Sequence, residues 1–421
     1  MYKYTDKRFK TNEIQVMLYT DFNGLSRSDC AAAAYILTDC CKKFPTYSEL
    51  SKHLANLYSA SLYSNVNFAW SGMRVAAVKA NVLGNAYALD GENLEAEMCG
   101  ILCECLLSPN AENGKFDETA TANMRAEIID DIDSVINEKS SYAAQRGAMI
   151  AFKGEPMDTP PVGTHEEAER ITPETAYHAY RNMLETARIH IVCSGSSDFT
   201  DTERAFTKAF SKLERSNICE LKKTPSTLKP EPAVFADTIP MEQAILRMYF
   251  KAPEFGDFRA ALILSVILGG MTTSRFFLNI REKQSLCYYC ACTGNRALRT
   301  LTAYAGVEPQ NIELTKQAIL DELNDIRENG VTEEELSAAK LDLYNRYSSM
   351  KDSPSIMIAW YHGQILDDEI HSPEEECREI EKVTSERIRA AARAYTLDTV
   401  YTLCSPDFDG TAGSYEREDT E

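Results

Sequence analysis

Only six histidines occur in this chain of 421 residues, His53, His165, His178, His190, His362 and His371, and the closest two stand nine positions apart. Imidazoles at i and i+4 on a helix share a face and can hold Zn²⁺ while an intervening glutamate serves as general base. No pair here has that spacing, so each histidine reads as an ordinary side chain. Long apolar runs are missing too. No stretch supplies the roughly 18 uncharged residues of a membrane helix, and the opening MYKYTDKRFKTNEIQVMLYT holds no apolar core of signal-peptide length. Gly269-Gly270 is not followed by the glycine or Gly-Lys-Ser spacing of a phosphate loop. Positive charge is the minority sign: 44 Lys and Arg against 64 Asp and Glu give a net charge of −20, which argues against a nucleic-acid partner. Such a charge suits a solvated acidic surface, or a chamber that attracts basic peptides. The expected protein is cytoplasmic, with no membrane span.

Thirteen cysteines are present, an odd number without regular spacing, and they read as reduced thiols. Cys287-x-x-Cys290-x-Cys292 falls in an expected strand, and Cys99, Cys103 and Cys105 fall in an expected helix. Neither segment has the tight glycine knuckle of a zinc ribbon.

The order of elements is duplicated. Alternation over Glu13–Tyr19 predicts a strand, followed by helices over Asp29–Cys41 and Ser48–Ala60, strands over Tyr63–Trp70 and Arg74–Val82, helices from Asn93 to Phe152, a helix over Glu174–Glu185 and a closing strand Ile189–Cys193. The second half repeats this with a strand Ala244–Phe250, helices Phe258–Leu268 and Ser274–Lys283, strands Cys287–Thr293 and Leu301–Val307, a helix Asn311–Asn329 and a closing strand Val400–Cys404. Thr332 with Glu335, and Ser372 with Glu375, carry capping-box spacing. Between the halves, Ser216–Asp237 is rich in proline and lysine and reads as an extended connector. Residues 1–215 and 238–421 are therefore expected to be two α+β domains, joined by 216–237.

Gly269–Tyr289, GGMTTSRFFLNIREKQSLCYY, resembles the second-domain signature of the insulinase-like (M16) zinc peptidases, with Arg281, Glu282, Lys283, Leu286 and Tyr288 matching its Arg-Glu-Lys-x-x-Leu-x-Tyr run. In that family a helix of the first domain carries His-x-x-Glu-His. Counting back from Lys42-Lys43-Phe44-Pro45-Thr46 places it on Ala31, Ala32, Ala33, Ala34 and Tyr35, which keep helix propensity without metal donors. The family's third ligand, a downstream glutamate, falls on Ala122, with Glu118 or Glu127 reached by a small shift. The run KKFPTYSELSKHLANLYSASLYSNV is similar to a bacterial, YfmF-type branch named for association with the 5-aminopentanol modification of elongation factor P.

This resemblance implies two homologous domains, each a mainly antiparallel sheet packed with helices, arranged as a clamshell. It also implies a non-catalytic, substrate-binding subunit of a heterodimeric zinc metallopeptidase. The partner, a homologous subunit with His-x-x-Glu-His, would supply the zinc; this chain would hold none and no cofactor, and Arg281 and Tyr288 would contact a peptide substrate. The plain structural alternative makes Arg281 a helix-end tie and Tyr288 a core ring. Two other readings stand beside the subunit: a scaffold that keeps the fold and handles no peptide, and a hydrolase with a rebuilt site.

Overall fold

The alternating and helical periods of the chain sort into two sheet-and-helix assemblies. The computed structural model describes residues 1–21, 24–69 and 72–406; Trp70, expected to close the strand from Tyr63, lies outside them. The first sheet contains β1 (Tyr2–Thr5), β2 (Thr11–Thr20), β3 (Ser61–Ala69) and β4 (Met73–Leu83). A short hairpin of β5 (Ala111–Glu112) and β6 (Lys115–Phe116) then precedes its last member, β7 (Arg188–Gly195). The second sheet contains β8 (Ala233–Thr238), β9 (Ala244–Lys251), β10 (Cys287–Asn295), β11 (Thr300–Val307) and β12 (Thr396–Cys404). Their orders are β1-β7-β2-β4-β3 and β10-β11-β9-β12-β8. Read from opposite ends these are one topology, so the duplication expected from element order is real. Each sheet is antiparallel except at one edge, where β1 runs parallel to β7 and β8 parallel to β12.

The chain divides into two compact units, each drawn from three stretches. Met1–Ser134, Thr159–Lys222 and Met350–His371 make the first; Val135–Asp158, Lys223–Ser349 and the residues from Ser372 on make the second. Each unit thus takes one segment from the opposite half of the sequence. The proline- and lysine-rich connector also ends in a strand, since β8 begins at Ala233.

In the first unit, one sheet face buries Ile14, Val16, Leu18, Val78 and Ala80 against helices that include Arg27–Asp39, Leu94–Leu107 and Pro173–Thr186. The opposite face is more polar, as the period of two requires. It carries Glu13, Gln15 and Tyr19 on β2 and His190 on β7, and helix Pro354–Gly363 covers part of it. There Ser355 donates to Glu13, and the Tyr361 ring lies 5.5 Å from that of Tyr4.

In the second unit, helix Lys139–Ala151 packs on β12 and β9, burying Ala143 and Ile150 with Ile245, Tyr401 and Leu403. The Arg146 guanidinium meets Asp237 at 3.0 Å. Both expected capping boxes form: Glu335 N–H donates to Thr332 at 3.1 Å, and Glu375 N–H donates to Ser372 at 3.2 Å. All thirteen cysteines are free thiols.

Candidate functional site

Ser26 opens helix Arg27–Asp39 by accepting from the Asp29 N–H at 3.2 Å. Alanine supports helix through its small, unbranched side chain, and Ala31, Ala32, Ala33 and Ala34 are at most 1% exposed. Their methyls fill space between the sheet and the neighbouring helices and offer no donor atom. Tyr35 is half-buried, and burial, with the carboxylates of Asp131 and Glu127, pushes its phenol up and keeps it protonated. One turn on, burial and Glu127 push Asp39 up to about 6. Of the downstream positions considered for a third ligand, Glu127 therefore shares the neighbourhood of this helix. Glu118 instead pairs with Lys115 at 2.8 Å, and Ala122 is exposed. These residues do not fit Zn²⁺. Among the described residues no group of three or more His, Cys, Asp or Glu side chains comes together to hold a metal ion.

Arg281 and Tyr288 belong to the second unit. Helix Phe276–Lys283 is wound in the wide π form, and its end is closed by Leu286 N–H donating to Ile280 O at 3.1 Å. Arg275, at its start, is fixed by Glu335 and Asp325, each at 2.6 Å. Phe276 and Ile280 point into the core, which turns Arg281 outward. The Arg281 guanidinium lies 4.8 Å from the Phe277 ring centroid and 3.6 Å from Glu282, with 42% of its side chain exposed.

The chain then turns through Ser285, at φ 51°, into β10. Register slips between Cys287, opposite Val307, and Tyr289, opposite Gly306, so Tyr288 is the extra residue of a β-bulge. Bulges re-aim side chains; Tyr288 is 48% exposed and donates to Glu308 at 3.1 Å. Among the described residues no hydrogen bond or ion pair joins Arg281 to Tyr288. Neither is a core side chain, and both offer polar groups to solvent from a firmly held turn. The site sits close to its support: a Cβ at Gly269 would come within 2.4 Å of Cys292 N and 2.6 Å of the Ala291 carbonyl carbon. Neither backbone atom can yield without moving β10. Gly269→Ala is expected to cost about 1–3 kcal/mol and lower the melting temperature; an unchanged melt would show that the helix and β10 separate freely.

A third feature lies in the first unit. His190 Nδ1 and His362 Nε2 meet at 3.0 Å although 172 positions apart, and the Tyr19 hydroxyl lies 3.1 Å from His362 Nδ1. The Tyr19 and His362 rings stack at 5.6 Å, and Tyr2 meets both imidazoles edge-on. Burial, with Arg188, pulls His190 down to about 4; burial, with His190, does the same to His362. Both rings are therefore neutral near pH 7, one donating and one accepting. No short motif announces such a pair.

Residues 170–343 match the profile of the peptidase M16 inactive domain, which takes in the whole Gly269–Tyr289 run. That stretch is similar to the M16 inactive domain. The chain is 22% identical over 401 residues to the probable inactive metalloprotease YmfF of Bacillus subtilis, covering 94% of this chain and 93% of that one. A conserved protein from Enterococcus faecalis superposes with a TM-score of 0.87 at 21% identity, over 96% and 95% of the two chains. A peptidase M16 inactive domain from Pseudomonas fluorescens gives 0.78 at 15%, over 99% and 96%. Identities this low bear on the fold, and the fold they share is the M16 one. Helix Arg27–Asp39 lies outside the matched residues, while Arg281 and Tyr288 lie within them.

Proposed function

We propose that this chain is the non-catalytic, substrate-binding subunit of a heterodimeric zinc metallopeptidase that processes peptides or proteins. One observation carries the reading: four buried alanines lie on the helix to which the resemblance assigns the metal motif, while Arg281 and Tyr288 are open on a braced turn. A homologous partner with His-x-x-Glu-His supplies the zinc and its activated water. Arg281 clamps a peptide carbonyl or carboxylate, and Tyr288 donates a hydrogen bond to the substrate once it leaves Glu308. Strand β10, an edge of its sheet, offers backbone groups to an extended peptide. The pair works in the cytoplasm.

Tagged purification from native extract tests this. A similar-sized His-x-x-Glu-His protein should co-purify near 1:1, and the pair should cleave peptides. Arg281→Ala should leave the pair assembled and lower its activity about tenfold or more, the worth of a charge-assisted hydrogen bond. A chain that recovers no such partner, or whose complex has no activity to lose, is a scaffold.

A further inference from the structure

The middle strand of the second sheet carries one arginine that no motif singles out. Arg247 lies on β9, directly opposite Tyr304 of β11 on one side and Tyr401 of β12 on the other. Its guanidinium carbon is 5.1 Å from the Tyr304 ring centroid and 6.0 Å from that of Tyr249. Nε donates to the Tyr249 hydroxyl at 3.2 Å. Tyr249 is 3% exposed, so the arginine stem is anchored to a fixed phenol. Gly147, on helix Lys139–Ala151, leaves room for that phenol: a Cβ there would come within 2.7 Å of the hydroxyl.

Beside this pair, the Tyr289 ring lies across Gly306, where a Cβ would come within 2.2 Å, and sits 6.4 Å from the Tyr304 ring. Tyr289 is 36% exposed, and Arg247 and Tyr304 are half-buried. The charge is what needs explaining. Arg146, Arg259, Arg275 and Arg387 of the same unit each meet an Asp or Glu within 3.0 Å. Arg247 forms no ion pair among the described residues, in a chain whose net charge is −20. With Nε taken by Tyr249, the two terminal nitrogens remain as a fork of donors beside aromatic walls.

We infer that Arg247, held by Tyr249 and Tyr304 and flanked by Tyr289, is a specificity site that takes a carboxylate of a bound peptide. A planar fork of N–H donors matches a carboxylate at two points, and the tyrosine faces cover the methylenes that carry it. A doubly charged phosphate fits this lone cation less well in so acidic a chain. The carboxylate comes from an acidic side chain or a C-terminus. The inference rests on the reading of this chain as a peptide-binding subunit and names what that peptide carries.

Fluorescence anisotropy on the full chain tests it with three labelled, otherwise neutral, extended peptides. One has an internal Glu and an amidated end, one an internal Gln and a free C-terminus, and one an internal Gln and an amidated end. One or both acidic peptides should bind about tenfold or more tighter than the neutral one, and which does so identifies the source. Arg247→Ala should bring every peptide to the affinity of the neutral one. Arg247→Lys should keep part of the preference, and circular dichroism should show both variants folded. Arg281→Ala, in parallel, should weaken all three alike and leave the preference intact. Equal binding of all three to the wild type, or a preference that survives Arg247→Ala, overturns the Arg247 site and spares the peptide-binding reading. Binding of none overturns both.

Discussion

Lowering the pH from 7 to 5 is expected to drop the melting temperature of this protein by roughly 5 °C, and His190 with His362 is the cause. Both rings have an ordinary value of 6.5 and are pulled down to about 4 in the fold. The sign follows directly. Below 6.5 the unfolded chain binds protons that the folded chain refuses, so stability falls with pH until about 4 and is flat for these groups beyond it. At pH 5 the loss is about 2 kcal/mol for each ring. A partly buried acid works the other way: Asp39, raised from 3.8 to about 6, takes up its proton more readily in the fold and adds stability as pH falls through that window. A variant therefore has to isolate the histidines. His362→Gln should melt lower at pH 7, because the Tyr19 and His190 contacts are disturbed, and should show a shallower decline toward pH 5. Scanning fluorimetry at half-unit steps reads both slopes; parallel slopes for wild type and variant would remove the pair as the cause.

Asp398→Ala should be the most damaging single change in the second unit, at about 3–5 kcal/mol. Asp398 is fully buried on β12. It accepts from Lys229 N–H at 2.9 Å, from Lys229 Nζ at 2.8 Å and from Thr399 Oγ1 at 2.7 Å, and Lys251 Nζ lies 3.3 Å away. Burial works against its charge, but the hydrogen bonds from Lys229 and Thr399 prevail and hold the carboxyl below its usual range. Lys251 is 1% exposed; it donates to Ala151 O at 2.6 Å and Thr227 O at 2.8 Å, and burial pulls its ammonium down. Removing the carboxylate strands that cation and frees the connector, β9, β12 and the end of helix Lys139–Ala151 at one point. Asp398→Asn keeps shape and some hydrogen bonds, so it should fall between. Urea unfolding followed by far-UV circular dichroism measures the loss, and a change below about 1 kcal/mol would mean that the lysines find water or other acceptors.

Most elements were legible because local rules govern them. The apolar alternation of Glu13–Tyr19 and Ala244–Phe250 marks β2 and β9, and Asn311–Asn329 differs from the observed helix Ile312–Asn329 by one residue. Strands β1 and β8 carry no strand signal in the sequence. Four and six residues long, they are edge strands paired to one neighbour each, with little burial to pattern them. Helix Lys139–Ala151 falls within the expected helical stretch Asn93–Phe152, whereas helix Pro354–Gly363 has no counterpart in the sequence reading, and nothing in the periodicity of either says which sheet it covers, because that choice is made by residues far along the chain. The same distance hides the imidazole pair. Within AILRMYFK, Arg247 reads as one polar residue of an alternating strand. Arg281 and Tyr288 were nameable from resemblance; the bulge that turns Tyr288 outward was not, since it depends on pairing with β11.

The exchange of segments also sets the order in which this protein is completed during synthesis. The first unit has most of its chain once Lys222 is made, but its last stretch, Met350–His371, comes about 150 residues later. At roughly 5–20 residues per second, that is a wait of about ten to thirty seconds. During it the sheet face that carries Glu13, Tyr19 and His190 has no helix Pro354–Gly363 to cover it. A nascent chain stalled before His371 would present that face to chaperones and proteases, so translation speed between Lys222 and His371 governs how long the chain is vulnerable.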